Sequence, residues 1–435
     1  PVFGLPAPHL GGATGHRSGP VPDSHRLPRF SPRGAPRSCG LTIASPPVTP
    51  ALTSHPADAR VVVVGVGADG WTGLPVTVQQ RLTDASVVLG SERQLALLPP
   101  VEGQRREAWG RPFAESLQGL LATHAASAPV VLASGDPLVS GVAGTLVRLL
   151  GPESVEVVPA VSSVALARAR MGWPEETCAV VTVVGRRVER VLRELAPGRR
   201  IVVLSSDAST PAAVAALLVG SGHGATRMTA LSDLGAPEED RLVGTATTWD
   251  HDVPALHVLC LEVAGDTRSA SWAAGLPDEV FDHDGQLTKR DLRASALSRL
   301  APRPGELLWD VGAGAGSVGI EWMRAHTTCR TVAVERDPVR AARVRTNAAR
   351  LGVPDLEVVE GGAPDALAGL PERGQPDRRR GIAERRRRPV RHDPPAAGRG
   401  GGRREQDQGA RRQNGHARVL LACLFLHMFF DTVLD

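Results

Sequence analysis

Tyrosine is absent from this chain, and lysine occurs once, at Lys289, among 50 basic residues. So lopsided a use of arginine, beside abundant Ala, Gly and Pro, reflects a GC-rich coding sequence and not a functional demand. Cysteine is scarce and dispersed: Cys39, Cys178, Cys260, Cys329 and Cys423 show no paired spacing. That pattern excludes a disulfide framework and a zinc site, and it fits a reducing cytoplasm. Long apolar runs are missing as well. Residues 419–430 fall short of the roughly 20 that span a bilayer, and nothing near the N-terminus has a secretory core. A soluble, cytoplasmic protein with no membrane partner and no metal is expected.

The net charge is +4, yet residues 372–418 alone hold 15 arginines against 6 acids, which leaves the remainder mildly acidic. A nucleic-acid enzyme carries its basic face on the folded body. This body has none, so no nucleic-acid partner is expected. The competing, non-enzymatic reading gives the basic tail an unspecific hold on phosphate backbones, but no aromatic residues interleave its arginines.

With 42% hydrophobic and 22% charged residues the composition is globular, and the length suggests two or three domains. Residues 1–58, rich in Pro, Gly, Ser, Arg and His without an apolar period, are expected to be disordered. They read as a plain tail or an over-extended start; a transit peptide is a weaker alternative, because no amphipathic helix is visible. Order begins at Val61-Val62-Val63-Val64. Short apolar runs at 87–89, 130–133, 155–158, 180–184, 201–204 and 256–263 then alternate with helix-like stretches, the pattern of an α/β domain over 59–265 with parallel strands. A linker at 266–274 leads to a second α/β unit at 275–371. Its helices are expected at 290–300, 317–325 and 338–351, and its strands at 307–311, 331–335 and 356–360. Beyond it, 372–435 is an Arg-rich tail expected to be disordered, with no strand placed through Arg418.

In the second unit, Asp310-Val311-Gly312-Ala313-Gly314-Ala315-Gly316 lies between a strand and a helix, where glycines let the backbone turn sharply and approach a ligand. Glu335 ends the next strand, 19 residues after Gly316, the place from which a carboxylate accepts both hydrogen bonds of a ribose diol. Loop, helix, second strand and terminal acid in that order point to a nucleotide-type ligand; the bland alternative is a tight turn with none. A dinucleotide fingerprint wants its third glycine at 317, which is Ser317, so adenosylmethionine is favoured over NAD. In the first unit, Gly65-Val66-Gly67-Ala68-Asp69-Gly70 follows the opening strand. Asp84 precedes a strand instead of ending one, so this loop is no sign of NAD.

Three segments of the second unit resemble the C15-methylating, decarboxylating module of the precorrin-6Y methyltransferase family of cobalamin biosynthesis. They are Gly275-Leu276-Pro277-Asp278-Glu279-Val280-Phe281, Gly285-Gln286-Leu287-Thr288-Lys289-Arg290 and Trp309-Asp310-Val311-Gly312-Ala313-Gly314. In the first unit, Gly90-Ser91-Glu92-Arg93-Gln94-Leu95, Ala133-Ser134-Gly135-Asp136-Pro137-Leu138 and Pro159-Ala160-Val161-Ser162-Ser163-Val164 follow the order seen in tetrapyrrole methylases. They resemble the C5-methylating module of the same family. The resemblance covers residues 61–265 and 275–370. It implies a tetrapyrrole-methylase fold of two α/β subdomains, followed by a Rossmann-like class I methyltransferase domain that is incomplete here. It also implies S-adenosylmethionine as cofactor, a precorrin as substrate and a homo-oligomer. The implied cofactor contacts are Gly65, Gly67, Gly135, Asp136, Pro137, Ser162 and Ser163 in the first unit. In the second they are Gly285, Thr288, Asp310, Gly312, Gly314, Gly316 and Glu335.

Methyl transfer from a sulfonium consumes a positive charge in an in-line displacement, so alignment in a dry cleft matters more than acid–base groups. Neither a Ser–His–Asp set nor a carboxylate pair is evident, and no catalytic residue is assigned. Acetate and propionate arms on the substrate call for cations; the candidates are Arg93, Arg186, Lys289, Arg290 and Arg293. Lys289 and Arg290 at a helix start oppose the macrodipole unless an anion offsets them. Two departures from the family stand out. Val184-Gly185-Arg186 replaces a His-Gly-Arg, and after Glu360-Gly361-Gly362-Ala363-Pro364 the arginine runs at 378–380 and 385–388 resemble a gene read out of frame. The expectation is an intact C5-methylating module beside an impaired C15 module whose apolar sheet edges lie open. A product too damaged to fold is the third reading.

Overall fold

The computed structural model describes residues 60–265 and 271–370, together with the backbone of 418–421. The disorder expected for 1–58, and for the tail apart from 418–421, lies outside the described residues.

Valine-rich runs build the first sheet. β1 (Val61–Val66), β2 (Val87–Gly90), β3 (Arg105–Ala108), β4 (Val130–Ser134) and β5 (Val155–Val158) are all parallel, in the order β3-β2-β4-β1-β5. β1 and β4 sit at its centre with helices on both faces, which is why they read as continuous apolar runs. Helices α1 (Val76–Asp84), α2 (Glu92–Ala96), α3 (Phe113–Thr123) and α4 (Ala143–Leu150) supply that cover, with Leu82 in one core and Leu117, Leu121 and Leu146 in the other. Helix α5 (Ser163–Met171) follows β5 but packs on the second sheet, where Val164 and Ala167 share a core with Val202, Leu231 and Val258. It therefore ties the two subdomains together.

The second sheet consists of β6 (Cys178–Thr182), β7 (Arg200–Leu204), β8 (Arg227–Ser232), β9 (Asp240–Thr245) and β10 (His257–Glu262), in the order β6-β7-β10-β8-β9. Only β6 and β7 are parallel; the other pairings are antiparallel. Helix α6 (Thr210–Gly220) covers one face through Val214 and Leu218. Three strands escape the apolar pattern. β3 and β9 are edge strands of charged sequence, and β8 buries Thr229 and Ser232 among its apolar residues.

The third sheet belongs to the second module: α7 (Arg290–Leu300), β11 (Leu307–Val311), α8 (Ser317–Ala325), β12 (Arg330–Glu335), α9 (Pro338–Arg350), β13 (Glu357–Glu360) and β14 (Arg418–Leu421). Its parallel order, β13-β12-β11-β14, is the 3-2-1-4 arrangement of a doubly wound sheet. β14 corrects the expectation of a tail without strands and of an open edge on β11. Four residues after an arginine-rich stretch show no period to read, and the unpaired backbone of β11 selects them.

The modules meet at the segment after β6. Arg190 pairs with Asp355, Nε to Oδ2 at 2.6 Å, and Arg193 Nη2 donates to the Arg324 carbonyl at 2.9 Å. Trp272, near the end of the expected linker, donates to the Arg193 carbonyl at 3.3 Å and lies under the Arg199 guanidinium at 4.3 Å. Among the described residues no helix is long and apolar enough to cross a membrane, and no group of three His, Cys, Asp or Glu is placed to hold a metal ion.

Candidate active site

The parallel first sheet delivers its strand ends to one place, the side where open α/β sheets bind ligands. Gly65 pairs with Ala133, and Gly135 N–H donates to the Val66 carbonyl at 2.9 Å. A Cβ on Gly65 would overlap the Gly135 carbonyl oxygen and lie 2.8 Å from Ala160 N; one on Gly67 would overlap the Asp69 carboxylate. Asp136 Oδ1 accepts from Leu138 N–H at 2.8 Å and so turns the Gly-Asp-Pro loop away through Pro137. Ser162 caps α5, its Oγ accepting from Ala165 N–H at 3.1 Å, and Ser163 begins the helix. The structure thus gathers all seven first-module candidates at one end of β1, β4 and β5.

Gly67, Ser134, Gly135 and Ser163 form one wall of a cleft of about 90 Å³ whose other wall, with Leu231, Asp233 and His257, comes from the second sheet. A second cavity of about 410 Å³ lies beside Ser91, Trp109, Arg111 and Phe113. Arg93 lines both, and its Nη2 donates to Ser134 Oγ at 2.9 Å. Arg186 lines neither; it stands on the exposed turn after β6.

In the second module Gly312, Gly314 and Gly316 all have positive φ, between 58° and 76°. At Gly314 a side chain is doubly refused, because its Cβ would also lie 2.9 Å from the Gln286 carbonyl oxygen. That contact places the Gly285–Thr288 turn against the glycine loop. The turn is fastened by Asn347, whose Nδ2 donates to the carbonyls of Asp282 and Ala315, and by Asp284, whose carboxyl Arg340 and Arg343 hold far below the usual carboxylate range. Glu335 ends β12 as expected. Its carboxylate accepts from Gly314 N–H at 2.8 Å and Asp337 N–H at 3.1 Å, so it braces the glycine loop.

Of the second-module cations, Arg293 needs correction. Arg293 has no solvent-exposed surface and cannot meet substrate. Its Nε donates to Glu321 at 2.6 Å, its other nitrogens to Asp278, Thr288 O and Leu276 O, and its guanidinium lies 4.8 Å from the Phe281 ring. Arg290 Nε is committed to the Gly275 carbonyl at 2.8 Å. The anion that offsets Lys289 at the start of α7 is the chain's own Asp278, at 3.8 Å.

Asp310 is fully enclosed. Oδ2 accepts from Gly319 N–H at 3.0 Å and Oδ1 has no partner. Burial, reinforced by the nearby Glu335 charge, raises its pKa to about 7. The folded chain therefore binds a proton across a window where an unfolded carboxyl, titrating near ~4, does not. Stability from this group is full below ~pH 4 and is lost as pH rises through ~7. Asp310→Asn is expected to flatten the fall in melting temperature between pH 5 and 8; an unchanged slope would assign that fall to another group.

Sequence reasoning missed Arg111, Trp109, Phe113, His257, Glu321 and Asn347. The close Trp109–Phe113 pair, in a chain with 3% aromatics, was the one usable signal.

Comparison with known proteins follows the same division. Tetrapyrrole (corrin/porphyrin) methylases match residues 60–250, and the precorrin methyltransferase domain matches 279–378. The precorrin-6Y C(5,15)-methyltransferase (decarboxylating) of Sinorhizobium sp is 44% identical over 320 residues, 73% of this chain and 76% of that relative. The chain belongs to the precorrin-6Y C(5,15)-methyltransferase family. Its Mycobacterium tuberculosis member is also 44% identical, over 311 residues that cover 71% of this chain and 77% of that one. The solved C-terminal domain of the Rhodobacter capsulatus member is 44% identical with a TM-score of 0.23; the match covers 24% of this chain and 55%, about half, of that domain. Both modules of the family, a tetrapyrrole-methylase fold and a Rossmann-like methyltransferase domain, are therefore present in the expected order.

Proposed function

We propose that this chain transfers two methyl groups from S-adenosylmethionine to a precorrin, at C5 from residues 60–265 and at C15 from 271–370, with loss of carbon dioxide from the C12 acetate arm. One observation carries the reading. Two separate glycine cradles, each refusing a Cβ, stand on a chain whose likeness to the family runs through both modules. The residues fit the cofactor: bare backbone at Gly67 and Gly135, which line the first-module cleft while buried Gly65 lets the loops close behind them, and the Glu335 carboxylate beside the loop N–H groups for a ribose diol in the second.

When bound, adenosylmethionine supplies an electrophilic methyl group on a sulfonium. The chain's own part is alignment and exclusion of water. The first cleft, at about 90 Å³, is smaller than the roughly 300 Å³ of ordinary ligand sites. Helix α5, which follows the first sheet and packs on the second, is the element shared by its two walls. Arg93 and Arg111 supply cations beside Trp109 and Phe113, a set suited to a large flat ring with carboxylate arms.

Calorimetric titration of adenosylmethionine into the full chain tests this. Two sites are expected, one removed by Gly135→Val and the other by Gly314→Val. A single site, lost only in Gly135→Val, limits the chain to C5 methylation, and no site at all overturns the reading.

A further inference from the structure

His257 opens β10 and stands on the second-sheet wall of the first-module cleft, facing the loops of Gly67, Gly135 and Ser163. Only 7% of the residue is exposed. Its Nδ1 lies 2.7 Å from the Pro254 carbonyl oxygen, which only accepts, so Nδ1 carries the ring proton. In the neutral ring Nε2 is then a bare lone pair. It has no hydrogen-bond partner and no contact with solvent, whereas buried polar atoms nearly always find a partner.

The charged groups around the ring do not supply one. Asp207, on the turn after β7, acts on His257 through its charge, but its Oδ1 is engaged by the backbone N–H and hydroxyl of Ser209, at 2.9 and 2.6 Å. Asp233, just after β8, and Arg93, from α2, line the cleft, and Arg93 is turned to Ser134. Burial lowers the pKa of the ring below its ordinary value, which keeps it neutral near pH 7.

We propose that His257 Nε2 accepts a hydrogen bond from an N–H group of adenosylmethionine in the first-module cleft. This rests on the reading of that cleft as a cofactor site. Adenosylmethionine carries N–H donors at its adenine amine and its ammonium group. The arms of the tetrapyrrole are carboxylates, which a lone pair repels, so the cofactor and not the substrate is its partner. Protonation of the ring would set donor against donor and cation against sulfonium. Among the groups facing the cleft, the imidazole is the one whose protonation removes this acceptor, so acid weakens binding through it.

The test is titration of adenosylmethionine into the full chain and into His257→Phe and His257→Gln, at pH 7.5 and at pH 5. The phenyl ring fills the same space without an acceptor, while the glutamine amide oxygen restores one without an ionisable ring. At pH 7.5 the expected result is a loss of about tenfold in first-module affinity for His257→Phe and near-native affinity for His257→Gln. Weakening on acidification is expected in the native chain and in neither variant. Equal losses in both variants would reduce His257 to a packing role and overturn the proposal, as would no loss in either. If Gly135→Val leaves first-module binding intact, the cofactor reading of the cleft fails, and the proposal with it.

Discussion

Gly65→Ala is expected to abolish adenosylmethionine binding in the first module, with an affinity loss of about a hundredfold or more, equivalent to ~2.7 kcal/mol. The added methyl group would meet two backbone atoms, the Gly135 carbonyl oxygen and Ala160 N, and no flexible side-chain tip. Neither neighbour is free to retreat. Gly135 N–H is tied to the Val66 carbonyl, and β1 is paired with β4 through Val66 and with β5 through Val64. Relief requires the strand ends to spread, which moves the loops at Gly67, Gly135 and Ser163 that form the cleft wall. Overpacking of this kind costs about 1–3 kcal/mol, which a module with two sheets and several cores withstands, so the variant is expected to fold with a lowered melting temperature. Calorimetric titration alongside thermal melting separates the two effects, and the second-module site is the internal control. A Gly65→Ala protein that binds within about threefold of native affinity would show that the strand ends are not the cradle.

The second module shows where sequence is readable. Helices α7 and α8 and strand β11 have the bounds expected of them, because a glycine or proline marks one end of each: Pro302 lies just beyond α7, Gly312 follows β11 and Gly316 precedes α8. The loop from Gly312 to Gly316 and the acid at Glu335 are likewise local, being consequences of strand, turn and helix in succession. The expected first-module candidates come from loops at the ends of β1, β4 and β5, and the parallel order brings them together without further information. What was hidden depends on partners distant along the chain. β3 has the sequence Arg-Arg-Glu-Ala and is a strand only because β2 offers it an edge. His257 looks like the first residue of an apolar strand, and its open nitrogen exists only because the other sheet stands opposite. In the sequence Arg293 is a candidate for the substrate's carboxylate arms, because such arms call for cations and nothing local marks this arginine as buried. Its burial is decided by Glu321 and Asp278, 28 and 15 residues away.

That burial makes the loss of Arg293 costly to the second module. Arg293→Met is expected to destabilise the module by about 3–5 kcal/mol, the range for removing one partner of a buried ion pair. Glu321 is 5% exposed and would keep only the N–H groups of Gly275 and Leu276, at 2.6 and 3.0 Å. The carbonyls of Thr288 and Leu276 would each lose the guanidinium that now bonds them. Arg293→Lys is expected to rescue little, since one ammonium cannot span four acceptors that a planar fork now reaches. The Thr288 bond matters most for function, because it anchors the turn whose Gln286 carbonyl lies against Gly314. Second-module binding of adenosylmethionine is therefore expected to disappear in Arg293→Met while first-module binding persists. Replacing Glu321 by Gln in the same protein should recover part of the loss, because the uncompensated buried charge is then gone. Denaturant melts of the two single variants and the double variant measure this coupling directly. Additive losses, or an Arg293→Met protein within ~0.5 kcal/mol of native stability, would mean that the buried guanidinium is not what holds the turn against the glycine loop.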